Sequence, residues 1–281
     1  MLSYRHAFHA GNHADVLKHL VLVQMLAHLT QKEKALWFVD THAGAGGYSL
    51  ESGHAAKNAE SASGIGRLWS ATGLPPAVAD YVSEVRAFNP DGVLRRYPGS
   101  PQIALQMTRP QDRLRLFELH PTDAKALAEQ FAGAGRRVSV VAVSLKKGLK
   151  AVLPPPSRRA LVLVDPSYEL ASDYRAVPQA LRDARERFAT GTYAIWYPRI
   201  ASRDTTQLPE QLHKRAGGDW LHVALDVNAA SADGFGLYGS GMFIVNPPWN
   251  LAATLRVTMP ALTALLAQDD DATFDLQFGQ T

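Results

Sequence analysis

Four residues, Asp165-Pro166-Ser167-Tyr168, follow the wholly apolar run LVLV at 161–164. An ionisable group placed directly after a buried strand is where sheet enzymes put their chemistry. The chemistry such a turn suits is substitution at a conjugated exocyclic amine. The lone pair of that nitrogen is delocalised into its ring, which makes it a poor nucleophile. A carboxylate at Asp165 and the backbone carbonyl of Pro166 could each accept one of its N–H groups and localise the lone pair. The proline ring fixes the direction of that carbonyl. Tyr168 offers a ring against which an extruded base could stack. Ser167 in the third position loosens the turn but leaves these parts in place.

Asp-Pro-Pro-Tyr and its Asn and Ser variants mark amino-methyltransferases that act on adenine or other exocyclic amines. A second segment, Asn246-Pro247-Pro248-Trp249, fits that pattern better when taken alone. Chain order argues against it, because it follows the last strand near the sheet edge, away from the point where strand order reverses. Its plainer meaning is a proline-rich strand exit with a packed tryptophan.

Two other strand ends carry candidates. ALWFVD (35–40) runs into Thr41-His42-Ala43-Gly44-Ala45-Gly46-Gly47, a turn in which glycines would let the backbone approach a ligand. The spacing departs from the dinucleotide fingerprint, and a tight turn with no ligand is the competing reading. LRLFE (114–118) ends in Glu118, an acid placed to accept from both hydroxyls of a ribose. The usual gap from glycine turn to acid is about 20 residues, whereas Gly46 and Glu118 are 72 apart. An inserted segment accounts for the excess, and a solvated strand-end carboxylate is the alternative.

Five of the ten histidines fall in the first 28 residues: His6, His9, His13, His19 and His28. His6-x2-His9-x3-His13 has the look of a metal cluster, but Asp15 is the only carboxylate close to it. A polar pocket is the expected role, and no metal is expected.

The elements that must position these groups alternate. Apolar residues at helical spacing predict a helix over 14–30, capped by Asn12. Strands are expected at 35–40, 114–118, 136–143, 160–165, 192–197, 220–227 and 241–246. Helices are expected at 121–133, 146–152, 173–189, 206–216 and 250–267. Pro98-Gly99-Ser100-Pro101 is a turn feeding another helix, with Ser100 at the N-cap. Residues 49–97, rich in Ser, Ala and Gly, predict a small helical subdomain inserted into one domain that spans 1–281. The acidic tail is expected to be loose. Strands spaced by helices imply a doubly wound, mostly parallel sheet. Seven strands ending in an antiparallel hairpin at one edge match the Rossmann-like class I methyltransferase architecture.

Composition fits this. The 281 residues carry 46% hydrophobic and 20% charged side chains, an ordinary globular balance. With no cysteine, thiol catalysis, disulfides and cysteine-ligated metals are excluded. No stretch has the shape of a signal peptide or a membrane span, so a cytoplasmic protein with no membrane contact is expected. The net charge is only +3. Residues 175–215 alone hold eight Lys and Arg against four Asp and Glu, which predicts phosphate-binding charge beside Asp165.

Taken together, MLSYRHAFHAGNHADVLKH, DTHAGAGGY, YPGSP, FELHP, SRRALVLVDPSYE, WYP and SGMFIVNPPW resemble the RlmJ family across essentially the whole chain. These are large-subunit ribosomal RNA adenine methyltransferases that use S-adenosyl-L-methionine. The resemblance implies methyl transfer to the exocyclic amine of a specific adenine in 23S rRNA, with base extrusion and direct in-line attack. It implies cofactor contacts from Lys18, His19, His42, Gly44, Ser100, Glu118 and Asp165, and an RNA contact from Tyr4. Asp165, Pro166 and Tyr168 would be the catalytic set. Where the family has Asp-Gly after the third strand, this chain has Ser144-Leu145, so Ser144 would meet the cofactor's adenine without charge. A monomer acting on naked rRNA or on an assembly intermediate is expected. The alternatives are an adenine methyltransferase of DNA or another RNA, and a catalytically weakened RNA-binding relative.

Overall fold

The computed structural model describes residues 9–51, 60–201, 203–231 and 236–279. The first helix, α1 (His13–Leu29), is capped as its sequence predicts: the Asn12 side chain accepts from the Ala14 and Asp15 amides, each at 3.0 Å. It is apolar nearly all round and is buried along most of its length. Of its buried polar residues, Asp15, Lys18 and His19 fall at spacings that share a face, and His13 in its first turn lies off that face.

Strand β1 (Trp37–Asp40) leads into the glycine turn and a short strand β2 (Gly47–Ser49). Helices α2 (Glu60–Ser63), α3 (Ile65–Trp69) and α4 (Pro76–Ala87) follow, then strand β3 (Arg96–Pro98), which pairs antiparallel with β2. Helix α5 (Ser100–Met107) has Gly99 at its N-cap, with Ser100 as its first residue. The Ser100 hydroxyl therefore does not cap the helix and is spent elsewhere. Next come β4 (Arg113–Phe117), α6 (Pro121–Gln130), β5 (Val138–Val141), α7 (Leu145–Val152), β6 (Ala160–Val164), α8 (Asp173–Arg187), β7 (Thr192–Arg199) and α9 (Arg203–Ala216). The chain ends with β8 (Trp220–Asp226), β9 (Gly239–Val245), α10 (Leu251–Leu266) and β10 (Thr273–Gly279).

The main sheet has eight strands in the order β10-β8-β9-β7-β6-β1-β4-β5. Strands β5, β4, β1, β6 and β7 are parallel, and β9 runs antiparallel between β7 and β8. Two expectations need correcting. The sheet has eight strands rather than seven, because the tail is not loose. Residues 273–279 alternate Phe, Leu and Phe with Asp and Gln, and pair along the whole of β8 from Thr273↔Asp226 to Gly279↔Trp220. Phe274 and Leu276 pack on the core. The β8–β9 hairpin is also not the edge, since β10 covers β8 and β9 is inserted beside β7.

Alternate residues of each central strand feed two cores. Phe38, Leu161 and Leu163 pack with α1, α4, α5 and α10 on one face, and Val39, Val162 and Val164 with α7, α8 and α9 on the other. The strand order reverses between β1 and β6, so a crevice is expected above the carboxyl ends of these two strands.

Candidate active site

Asp40 and Asp165 stand at that crevice, the first as the last residue of β1 and the second directly after β6. Lys18 reaches from α1 to bond Asp165 Oδ2 at 2.6 Å and Asp15 Oδ1 at 2.8 Å. Asp15 is fixed in turn by the Gly11 amide at 2.9 Å. The lysine is 3% exposed. Burial alone would lower its pKa, but Asp15 and Asp165 outweigh it and hold the ammonium above its ordinary value.

Asp40 is fully buried. It accepts from the Ser100 hydroxyl at 2.6 Å and from the His42 amide at 3.1 Å. Burial pushes its pKa up to about 7, against the pull of those two donors. His42 points its Nδ1 at the Thr41 hydroxyl, 2.9 Å away, and burial lowers its pKa to about 4, so it is neutral at physiological pH.

Glu118 accepts the Gly44 amide at 2.8 Å and the His120 amide at 2.7 Å. The carboxylate thereby ties the glycine turn after β1 to the turn after β4. Gly44 has φ +58°, and a Cβ there would collide with the Tyr48 hydroxyl. A Cβ on Gly99 would come within 2.9 Å of the Gly46 carbonyl, which accepts the Gly99 amide. At Gly46 and Gly99 the two turns touch backbone to backbone, which leaves no room for a side chain at Gly99.

His19 Nδ1 lies 2.7 Å from the Tyr97 hydroxyl, which meets the Tyr81 hydroxyl at 2.9 Å. Pro166 and Tyr168 lie directly after Asp165, as the motif requires. Tyr168 takes φ +54°, a conformation uncommon for a side-chain-bearing residue. Its hydroxyl donates to the Trp196 carbonyl at 2.9 Å, its ring packs on Tyr174, and it is 6% exposed. The ring expected to be an open stacking face is thus largely enclosed. Trp196, half-buried with Lys18 Nζ 5.6 Å from its ring, is a second aromatic wall.

These residues line one cavity of about 890 Å³, which includes Lys18, His19, His42, Gly44, Ser100, Glu118, Asp165, Pro166 and Tyr168. Its far wall carries His9, paired with Glu60 at 2.9 Å, and His13, whose pKa burial lowers to about 4. The volume exceeds what one nucleoside-sized ligand needs. A collar of strand-end carboxylates and a turn open only to glycine fit an adenosyl cofactor with a cationic centre.

Not every expectation falls here. Tyr4 and His6 lie outside the described residues. Ser144 precedes α7, where its carbonyl accepts the Gly148 amide, and Leu145 forms the cavity wall at that place. Asn246 follows the antiparallel β9 and so sits at the opposite end of the sheet, its amide bonded to the carbonyls of Ala189 and Gly191. The basic excess at 175–215 is also not gathered beside Asp165. Helix α8 starts at the cavity and runs away from it, so Arg185 ends near Asn246, bonded to the carbonyls of Arg215 and Gly217. Arg182 pairs with Glu186, Lys214 with Glu210, and Arg199 with Asp226. Among the described residues no group of three or more His, Cys, Asp or Glu is arranged to hold a metal, and no helix is long and apolar enough to cross a membrane.

Asp15, Asp40, Tyr97 and Trp196 were not picked out as site residues by the sequence. Asp40 carries a signal as the last residue of an apolar strand, and Tyr97 and Trp196 lie within the YPGSP and WYP motifs.

Known proteins resemble this chain along its length. The sequence model of the family described as "Ribosomal RNA large subunit methyltransferase D, RlmJ" matches residues 33–277. A ribosomal RNA large subunit methyltransferase J from Haemophilus influenzae is 43% identical over 279 residues, 99% of each chain. Its counterpart from Escherichia coli K12 is 43% identical over 266 residues, 95% of this chain and 94% of that one. A crystal structure of a Legionella pneumophila protein superposes with TM-score 0.88 at 33% identity, over 96% of this chain and 98% of that one. The strand order, the crevice and its carboxylates are thus those of a chain that belongs to the RlmJ family of ribosomal RNA large subunit methyltransferases.

Proposed function

We propose that this protein is a ribosomal RNA methyltransferase that modifies the exocyclic N6 of an adenine in 23S rRNA. S-Adenosyl-L-methionine is the cofactor, and when bound it supplies an electrophilic methyl group. The observation that carries the reading is Asp165, held at the cavity floor by Lys18 and followed at once by Pro166 and Tyr168. Lys18 fixes the carboxylate so that its second oxygen can accept an amine N–H. The Pro166 carbonyl accepts the other, which leaves the nitrogen lone pair free to attack. Trp196 and the exposed edge of Tyr168 hold the base plane, and orientation supplies much of the acceleration. Glu118 suits a ribose diol, while Asp40 acts through the Ser100 hydroxyl and the His42 amide that it orients.

The test is methylation of 23S rRNA from cells that lack the gene, with the modified base identified after digestion. N6-methyladenine at one position, lost with Asp165→Ala, is the expected result. Methylation at another base or another atom overturns the reading.

A further inference from the structure

The three strands β1, β4 and β6 begin side by side, since Trp37 pairs with both Arg113 and Ala160. The segments that enter them converge at the end of the sheet opposite the cavity. Arg159 bonds the carbonyls of Leu29 and Lys34, and Arg109 bonds those of Lys32 and Lys34. The 29–34 turn is therefore pinned from two sides, with Lys32 and Lys34 left exposed. Six cations, Lys32, Lys34, Arg109, Arg113, Arg158 and Arg159, meet two carboxylates, Glu33 and Asp112. The local net charge is +4, above the +3 of the whole chain. Asp112 is fully buried and already paired with Arg109 at 2.9 Å. Among the described residues no carboxylate lies within ion-pair distance of Lys32, Lys34 or Arg158.

An aromatic platform adjoins this charge. Trp249 is 85% exposed, and its ring stands edge-on to His28, one residue before the Leu29 carbonyl that Arg159 grips. Cations that track a phosphate backbone, beside an exposed ring on which a base can stack, make the combination that binds nucleic acid without sequence preference.

We propose that this rim is a second RNA-binding surface, separate from the cavity, at which Lys32, Lys34 and their arginine neighbours grip rRNA phosphates and Trp249 stacks on an unpaired base. The proposal rests on the rRNA reading above. Arg159 and Asp165 close the two ends of β6, six residues apart, which is about 20 Å along an extended strand. An RNA that occupies both places must pass around the side of the molecule. A short hairpin carrying only the target adenine cannot reach the rim, and a longer rRNA segment can.

The test compares wild type, Lys32→Glu/Lys34→Glu and Trp249→Ala on two RNAs, a short target hairpin and a 23S rRNA fragment several times longer, at several salt concentrations. The double lysine variant should bind the long fragment about tenfold more weakly, with a log–log salt slope shallower by about one to two. Its hairpin binding and hairpin methylation should stay within twofold of wild type. Trp249→Ala should weaken long-fragment binding with its salt slope unchanged. Equal losses on both RNAs, or no loss on either, overturn the proposal. So does binding to anionic lipid vesicles that the lysine variant abolishes while its long-fragment affinity stays intact. A wild type that methylates neither RNA sinks the proposed function instead, and the binding comparison still decides the surface.

Discussion

Lys18 and Asp165 are 147 residues apart in sequence, and their side chains meet at 2.6 Å. The lysine sits on the first helix and the aspartate after the fourth parallel strand of the chain. Their contact is what closes the helix over the crevice, and it joins the carboxylate of the site to a second buried carboxylate, Asp15.

Removing the cation should therefore cost both fold and function. Lys18→Met leaves Asp15 and Asp165 buried without their shared partner, so unfolding stability should fall by about 3 kcal/mol. Methyl transfer should fall at least a hundredfold. Denaturant titration and single-turnover methylation measure the two effects separately. A Met variant as stable as wild type would mean that the pair does not bear on the fold.

Asp165→Asn keeps the shape but replaces an acceptor oxygen with a donor group. The rate of transfer should drop about 10²–10³-fold, as for loss of a preorganised polar contact at a reacting centre. Asn246→Ala should leave the rate within twofold. It removes the bonds to Ala189 and Gly191 and should lower stability by about 1 kcal/mol. Reversed activities would move the centre to the second motif.

The pH dependence of stability has opposing parts. Asp40, with its folded pKa raised to about 7, binds a proton more readily folded than unfolded, so it lowers stability as pH rises from about 4 to 7. His13, His42 and His222 are pushed down to about 4 by burial and bind protons less readily folded. They raise stability over about pH 4 to 6.5. Stability should climb through that window, and Asp40→Asn should steepen the climb by about one proton, or roughly 1.4 kcal/mol per pH unit at most. Melts at a series of pH values read the slope directly.

Gly99→Ala is a test of the two turns alone. The added methyl would press on the Gly46 carbonyl, so the glycine turn must shift. Calorimetry should find S-adenosyl-L-methionine bound about tenfold more weakly, with far-ultraviolet circular dichroism unchanged.

Much of this was visible in the chain itself. The alternation of apolar strands and amphipathic helices marked the parallel sheet, and the strand ends marked Asp165, Glu118 and the glycine turn. What escaped needed the third dimension. The strand at 273–279 alternates plainly, but Asp269, Asp270 and Asp271 immediately before it suggested a solvated tail. The basic run at 175–215 is not beside Asp165 because adjacency in sequence says nothing of direction, and α8 carries its charges away from the cavity. Tyr97 acts through His19 and Tyr81 on other elements, and no local pattern announces such a contact. The PGSP turn alone reads Ser100 as a helix cap, whereas its hydroxyl belongs to Asp40, 60 residues earlier.

Two carboxylates, Asp15 and Asp165, share one buried ammonium, and Asp40 stands nearby as a third acid that burial leaves partly protonated near pH 7. That imbalance gives the pocket a preference between the two forms of its cofactor. Asp15 and Asp165, two charges against the single one of Lys18, attract a sulfonium, which carries a positive charge, and have no such hold on the neutral thioether left after transfer. The same side chains that draw the methyl donor in thus favour letting the spent molecule go, so inhibition by product should be weak.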